Sequence, residues 1–266
     1  FSTPMPPRSL QTAALGMQAQ QTSIDNIANN LSNANTTGYK RSRVVFQDLL
    51  YENVQASAEG QTDGAEPAEL QIGSGTTAVA TVRNFSQGSF SKTGNSLDLA
   101  INGDGFFQVQ QPDGSLAYTR DGTFTLSSEG NIVTQTGLKV QPNINVPPNA
   151  VEISIDQEGT VKARLQGESE MVELGQMELA RFPNSAGLRP QGGNLYEQTE
   201  SSGEPFIGTP GRGGLGNVRQ GFLEKGNVKV VQEMTSLIQA QRTYELNSRM
   251  VTTSDEMMQT ANNVKR

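Results

Sequence analysis

The chain has 266 residues, 34% hydrophobic and 6% aromatic with no Trp, which favours an elongated or assembling molecule over one dense core. It contains neither Cys nor His, so disulfides, thiolate zinc sites, thiol nucleophiles and Ser-His-Asp or Cys-His arrangements are absent, and no cofactor is expected. A formal net charge of −7 argues against a nucleic-acid partner, and no apolar run approaches the ~18 residues that suggest a bilayer span, so membrane insertion is not expected either.

Phe1 to Pro4 carry no pattern, and no basic region precedes an apolar core, so no cleaved secretion signal is expected. The first periodic stretch runs from Arg8 to Leu31. Its apolar side chains fall at Leu10, Ala14, Met17, Ile24, Ala28 and Leu31, with Ala13 and Ile27 flanking the stripe. These steps of three, four and seven are those of helices that pack along one another. Only two charged residues, Arg8 and Asp25, occur in the first 35. The polar face consists of amides and hydroxyls such as Gln11, Gln18, Gln21, Thr22, Asn26 and Asn29. Amides are far cheaper to bury than charges, so this helix is expected to be enclosed on most sides in its working state.

The helix runs out in Asn29-Asn30-Leu31-Ser32-Asn33, residues that compete for backbone hydrogen bonds, and Gly38 supplies a positive-φ exit. Lys40, Arg41 and Arg43 read as a solvated basic turn. Val44 to Tyr51 is a short apolar segment, and Glu52 to Glu69 reads as an extended or flexible insertion.

From Leu70 the period changes to two. Leu97, Leu99 and Ile101 alternate with polar or small residues, Asp-Gly and Asn-Gly turns recur at 102–105, 113–114 and 121–122, and Glu129-Gly130-Asn131 precedes Ile132-Val133. Short strands at such intervals indicate antiparallel β-structure. Gly211-Arg212-Gly213-Gly214-Leu215-Gly216 spells a dinucleotide-type glycine pattern. It precedes Val218-Arg219-Gln220 rather than a helix start, so a nucleotide role is not expected. Asp98, Asp104, Asp113 and Asp121 sit at turns or strand ends, where Asp is favoured for local hydrogen bonding, and nothing reads as an active site.

The last stretch opens at Asn227, a good N-cap residue. Val230, Met234, Leu237, Tyr244, Val251 and Met258 form its stripe, with Gln241 counted on the same side. It carries nine charges between Lys229 and Arg266, so it has a wet face that the first helix lacks. At 1.5 Å per residue the two helices would be roughly 36 Å and 57 Å long, too long to cap a small core. The expected fold is α+β. A discontinuous helical domain forms from residues 1–35 and 224–266, residues 36–69 connect and carry the insertion, and residues 70–223 form a central, mainly antiparallel β domain.

Ser9-Leu10-Gln11-Thr12-Ala13-Ala14-Leu15-Gly16-Met17, with Ala28-Asn29-Asn30-Leu31-Ser32-Asn33 and Thr37-Gly38-Tyr39-Lys40, resembles the N-terminal signature of bacterial flagellar axial proteins. Leu70-Gln71-Ile72-Gly73, Gly103-Asp104-Gly105-Phe106-Phe107, Gln220-Gly221-Phe222-Leu223-Glu224 and Gln239-Ala240-Gln241-Arg242-Thr243-Tyr244 are similar to the rod and hook core. Asn29, Asn30, Asn33, Gly38 and Tyr39 carry the family motif. Asp48, Leu49, Leu50, Tyr51 and Leu70, which bracket the insertion, resemble the stretch that separates distal rod from hook subunits; a proximal rod or hook-type subunit is the alternative. The resemblance implies a non-enzymatic subunit, exported through the flagellar type III apparatus, that polymerises into a straight hollow drive shaft across the periplasm. It implies as partners further copies of the chain, proximal rod proteins, the hook protein and the peptidoglycan and outer-membrane ring proteins. Both terminal stripes then become polymerisation elements, with the C-terminal helix toward a water-filled lumen and the N-terminal helix in the wall.

Overall fold

The computed structural model describes residues 8–54, 70–168 and 170–264. Two long helices, α1 (Arg8–Ser32) and α2 (Val230–Val264), bracket a run of short strands, which is the expected α+β arrangement. No helix among the described residues is long and apolar enough to cross a membrane.

The chain divides into two compact units. The helical unit holds Phe1–Leu31, Ser42–Val82 and Val230–Arg266, and the β unit holds Ser32–Arg41 and Arg83–Lys229. Residues 70–82 therefore lie in the helical unit rather than with the β domain, and residues 32–41 and 224–229 lie in the β unit. Strand pairing and ion pairing set these limits, and neither follows hydrophobic periodicity.

In the helical unit the strands are β1 (Ser42–Asp48), β2 (Tyr51–Val54), β3 (Leu70–Gly73) and β4 (Thr76–Arg83). They form two two-stranded ladders, β1 with β4 and β2 with β3. The pairing of β1 with β4 is what draws residues 76–82 out of the β domain.

The β unit begins with β5 (Phe90–Lys92), β6 (Leu99–Asn102), β7 (Phe106–Gln110), β8 (Leu116–Thr119) and β9 (Phe124–Leu126). It continues with β10 (Ile132–Thr134), β11 (Lys139–Gln141), β12 (Ala150–Ile155), β13 (Thr160–Leu165), β14 (Met171–Gln176) and β15 (Leu179–Arg181). It closes with β16 (Arg189–Gly192), β17 (Leu195–Glu197), β18 (Phe206–Gly208), β19 (Asn217–Gln220) and β20 (Phe222–Glu224). Strand β7 is the hub of a nine-stranded sheet, pairing antiparallel with β8, β11 and β15. The glycine-rich loop 211–216 leads into β19, a strand, so it lacks the helix that a phosphate cradle needs.

Alternation along these strands produces two cores on opposite faces of one sheet. Phe107 and Val109 of β7, Ala117 of β8 and Leu179 of β15 join Leu99, Phe124, Val140 and Ile155 in the larger cluster. Their neighbours Phe106, Tyr118 and Ala180 join Phe182, Leu188 and Tyr196 in the smaller one. The register is consistent with this, because Phe106 lies opposite Ala180 while Phe107 lies opposite Leu179. The three-stranded sheet β12-β13-β14 covers the larger core through Ile155, Val161, Ile153 and Leu174. The smaller core is aromatic, with edge-on pairs Tyr118–Phe182 at 4.7 Å and Phe85–Phe106 at 5.4 Å, a geometry favoured by ring quadrupoles.

Lys40 and Asn227 correct two readings of the sequence. Lys40 is not part of a solvated turn; it is fully buried. Its Nζ lies 2.6 Å from Glu224 Oε1 and donates to the Ser86 carbonyl at 2.9 Å. Arg120 reaches the other carboxylate oxygen at 3.3 Å, and the Gly88 N–H donates to Oε1 at 2.8 Å. Burial holds both Lys40 and Arg120 below their ordinary pKa values, and the Glu224 carboxylate opposes that shift. Nor does Asn227 cap α2, which opens three residues later. Its Oδ1 accepts from the Arg41 N–H at 2.7 Å, and its Nδ2 donates to the Asn84 and Ser86 carbonyls at 2.8 and 3.0 Å. The predicted N-cap is instead a tie between three segments of the β unit.

Removing Glu224 leaves two interior cations without their counter-charge. Glu224→Ala is expected to destabilise the β unit by about 3–5 kcal/mol, the cost of breaking a buried pair from one side. A urea melt of the full chain followed through the tyrosine signal measures it; a loss below about 1 kcal/mol would contradict a central role for the carboxylate.

Candidate functional site

The residues to be located are the two helical stripes, the family motif and the stretch around the insertion. All of the helical residues belong to the helical unit. Two contacts fix how α1 and α2 lie on each other. A Cβ on Gly16 would sit 2.9 Å from Asn247 Nδ2, and Asn30 Nδ2 donates to Glu233 Oε2 at 3.2 Å. From Gly16 to Asn30 the count rises by fourteen while from Asn247 to Glu233 it falls by fourteen. The helices are therefore antiparallel and in heptad register over two repeats.

The buried seam is not the predicted apolar stripe. On α1 the buried residues are Ala13, Ala19, Ile27 and Asn30, and on α2 they are Glu233, Ala240 and Ser254. Leu10, Met17, Ile24 and Leu31 are half-buried, and Ala14 and Ala28 are exposed. The stripe is thus rotated by one residue, about 100°, from the seam. On α2, Leu237 and Val251 are half-buried, while Val230, Met234, Gln241, Tyr244 and Met258 are exposed. Small residues win the seam because they let the backbones approach closely. Larger apolar side chains are left to the flanks and the outside.

Asn30 is the most densely bonded polar residue of this seam, and it is fully buried. Its Oδ1 accepts from the Ser42 N–H at 2.9 Å, and its Nδ2 donates to the Ser42 carbonyl at 2.7 Å as well as to Glu233. Asn26 doubles the attachment, since its Nδ2 donates to the Ser42 carbonyl at 2.9 Å and its Oδ1 accepts from Ser42 Oγ at 2.6 Å. The amide-rich end of α1 therefore clamps the first residue of β1 in addition to ending the helix. Asn30 is buried and Asn26 half-buried, and the polar side-chain atoms of both have partners. Periodicity in apolar residues passes over Glu233, Asn247 and Ser254. The available signal was their seven-residue spacing with Ala240, which requires reading small and polar residues as a seam.

Asn33, Gly38 and Tyr39 of the motif fall in the β unit. Asn33 Oδ1 accepts from Thr36 Oγ1 at 3.1 Å. Gly38 adopts φ +68°, and a Cβ there would lie 2.6 Å from the Asp121 nitrogen, so both conformation and space demand glycine. Tyr39 is buried, and the Arg83 guanidinium lies 5.7 Å from both its ring and that of Tyr196. Asn29 is exposed on α1.

Around the insertion, Asp48 ends β1, and the Leu49 N–H donates to the Gly75 carbonyl at 2.9 Å. Leu50 is 88% and Tyr51 58% exposed. Tyr51 to Val54 pair with Gly73 back to Leu70, so the insertion leaves and re-enters at opposed ladder positions. Residues 55–69 of the insertion lie outside the described residues.

The heptad register places Ser23 opposite Ala240, midway between the two observed contacts. The chain has no native Cys, so a Ser23→Cys/Ala240→Cys variant is expected to form an intramolecular disulfide on mild oxidation, read by a mobility shift on a non-reducing gel. Efficient bonding of Ser23→Cys to Gln241→Cys instead would show the helices rotated toward the stripe read from sequence.

Comparison with known proteins agrees with this architecture. A family model for flagella basal body rod protein matches residues 10–40, which cover nearly all of α1, including Asn26 and Asn30. Models for the flagellar hook protein FlgE/F/G D1 domain and for the flagellar basal body rod FlgEFG protein C-terminal match residues 100–163 and 219–264. The flagellar basal-body rod protein FlgG of Borreliella burgdorferi is 47% identical over 262 residues, covering 97% of this chain and 99% of that protein. The protein of the same description from Buchnera aphidicola subsp. Schizaphis graminum is 46% identical over 252 residues, 94% of this chain and 97% of its own length. A flagellar basal-body rod protein FlgF from Caulobacter vibrioides is 35% identical over 254 residues, 93% of this chain and 94% of its own. With helices, clamp and β unit all matched along nearly its whole length, the chain belongs to the flagellar basal-body rod protein family and is a structural subunit of that rod.

Proposed function

We propose that this rod subunit is of the distal type and builds a straight, hollow helical drive shaft that carries torque from motor to hook and lets exported subunits pass along its lumen. The observation that carries the reading is the outer surface of α2. Val231, Met234, Ile238, Leu246, Met250 and Met257 are all about half exposed or more in the single subunit, Val231 to 77%. Single exposed apolar residues are ordinary, but a run of them along one 35-residue helix is a surface waiting to be covered. Burying each against a neighbour returns about 1 kcal/mol. Repeated head-to-tail contacts that do not close a ring give a helical polymer.

On this reading the predicted stripes act between subunits: Val230, Met234, Leu237, Gln241, Tyr244, Val251 and Met258 on α2, Leu10, Ala14, Met17, Ile24, Ala28 and Leu31 on α1, with Ile27 turned into the seam between the two helices. The helical unit is the polymerisation domain. Its neighbours are other copies, proximal rod proteins and the hook protein, with the peptidoglycan and outer-membrane ring proteins as the bushing and the type III apparatus as its route of export. The nearly uncharged α1 suits the wall, and the charged face of α2 suits the lumen. The subunit catalyses nothing, in keeping with a chain that has no His or Cys. Greater identity to the FlgG-named relatives than to the FlgF-named one favours the distal over the proximal position.

Ile238→Glu with Met250→Glu is expected to abolish polymerisation while leaving the melting of the β unit unchanged within ~0.5 kcal/mol, because both positions are exposed in the single subunit. Pelleting and electron microscopy read the first effect and a urea melt the second; normal filaments from this variant would refute the interface. Deleting residues 55–69 is expected to give filaments that bend more, seen as a shorter persistence length in micrographs. Equally straight filaments would remove the insertion as the source of stiffness.

A further inference from the structure

The β unit contains a cavity of about 370 Å³ that helical packing does not explain. Phe85, Phe106, Phe182 and Phe206 give it an aromatic wall, and Arg120, Arg181 and Asp104 are its charged members. Arg120 is 97% buried: its side chain is only 3% exposed. It donates through one terminal nitrogen to Glu224 and through the other to the Gly103 carbonyl at 2.8 Å, yet its Nε–H has no acceptor among the described residues. A buried guanidinium N–H without an acceptor is costly. An aromatic wall with two arginines against one aspartate suits a carboxylate on an apolar stem.

The rim of this cavity is a strand edge. Among the described residues strand β18 pairs only with β15, and its Phe206 and Ile207 are 51% and 43% exposed. A second open edge in the same unit has matching chemistry. Among the described residues strand β14 pairs only with β13. Met171 and Val172 on it are exposed, and exposed Glu170 and Glu173 flank them. These two edges belong to layers on opposite faces of the nine-stranded sheet, because the cavity abuts the smaller aromatic core and β14 covers the larger one. Exposed apolar strand edges are usually blunted in soluble proteins. Here each has complementary charge, and they face different ways, which is the arrangement a head-to-tail, non-closing contact requires.

We propose that Glu170–Glu173 of one copy lies along β18 of the next, with Met171 and Val172 on Phe206 and Ile207 and a glutamate carboxylate received by Arg181. Strand addition supplies main-chain hydrogen bonds, and the cavity fixes the register. The contact rests on the polymer of the preceding section but uses surfaces outside the terminal helices. It links the β units of successive subunits.

The cysteine-free chain makes the test direct. Rods assembled from an Ile207→Cys/Val172→Cys variant and oxidised should run as a ladder of dimers, trimers and longer species, while either single variant should run as monomer. Arg181→Glu should raise the critical concentration for assembly about tenfold, and adding Glu170→Arg with Glu173→Arg should restore it to within about threefold. Well-formed rods of the double-cysteine variant without a ladder, a single variant that cross-links to itself or to a different protein, or no recovery on charge exchange would each overturn the contact. Failure of the unmodified chain to form rods at all would remove the polymer on which the contact rests, and so separates the two readings.

Discussion

One carboxylate holds the β unit together. Glu224 meets Lys40 through one oxygen and Arg120 through the other, and all three are almost wholly buried. The three residues stand 184, 104 and 80 positions apart in pairs (224 − 40, 224 − 120, 120 − 40), so closing the triad brings the first, middle and last parts of the unit to one point. Its desolvation cost is large, and the compensation is geometric. The carboxylate also accepts the Gly88 N–H, and the Gly38 N–H donates to the Glu224 carbonyl at 2.8 Å. A well-packed apolar replacement can be as stable as such a cluster. What apolar residues lack is a requirement for one particular arrangement of three distant segments.

The helical unit solves the same problem in a different way. Its seam is made of small residues with polar ones at heptad steps, and its attachment to β1 runs through amides. Small side chains bring helices close but discriminate poorly between registers, because one alanine is like another. Asn30, which bonds both Ser42 and Glu233, does discriminate, in the way a single buried polar residue sets register in a coiled coil. The larger apolar side chains are thereby freed from the internal seam, and this is what leaves a subunit built for assembly with an apolar exterior on α2.

Both units thus place polar groups where the chain must be held in one arrangement and leave apolar surface where copies can meet. In the β unit the alternation of Phe106 and Phe107 on a single strand creates two cores back to back. It also leaves unpaired strand edges on layers that face opposite ways.

The sequence alone determined the element types, because helical and strand periods depend only on which side chains repeat at 3.6 or 2 residues. It placed α1 within one residue, the short strands after Asp-Gly and Asn-Gly turns, and the positive φ at Gly38, since backbone sterics are local. The N-terminal motif could be read as a signature but not as a clamp, since its partner Ser42 was hidden inside what looked like a basic turn. Tertiary structure decided which face of each helix is inside, where Lys40 goes, what Asn227 holds, and that residues 70–82 belong with the helices. The physical reason is common to all four. Close packing of small residues, ion pairs such as Lys40–Glu224 and strand pairings such as β1 with β4 join positions far apart in the chain. Their energies depend on three-dimensional proximity, which no local pattern of hydrophobicity encodes.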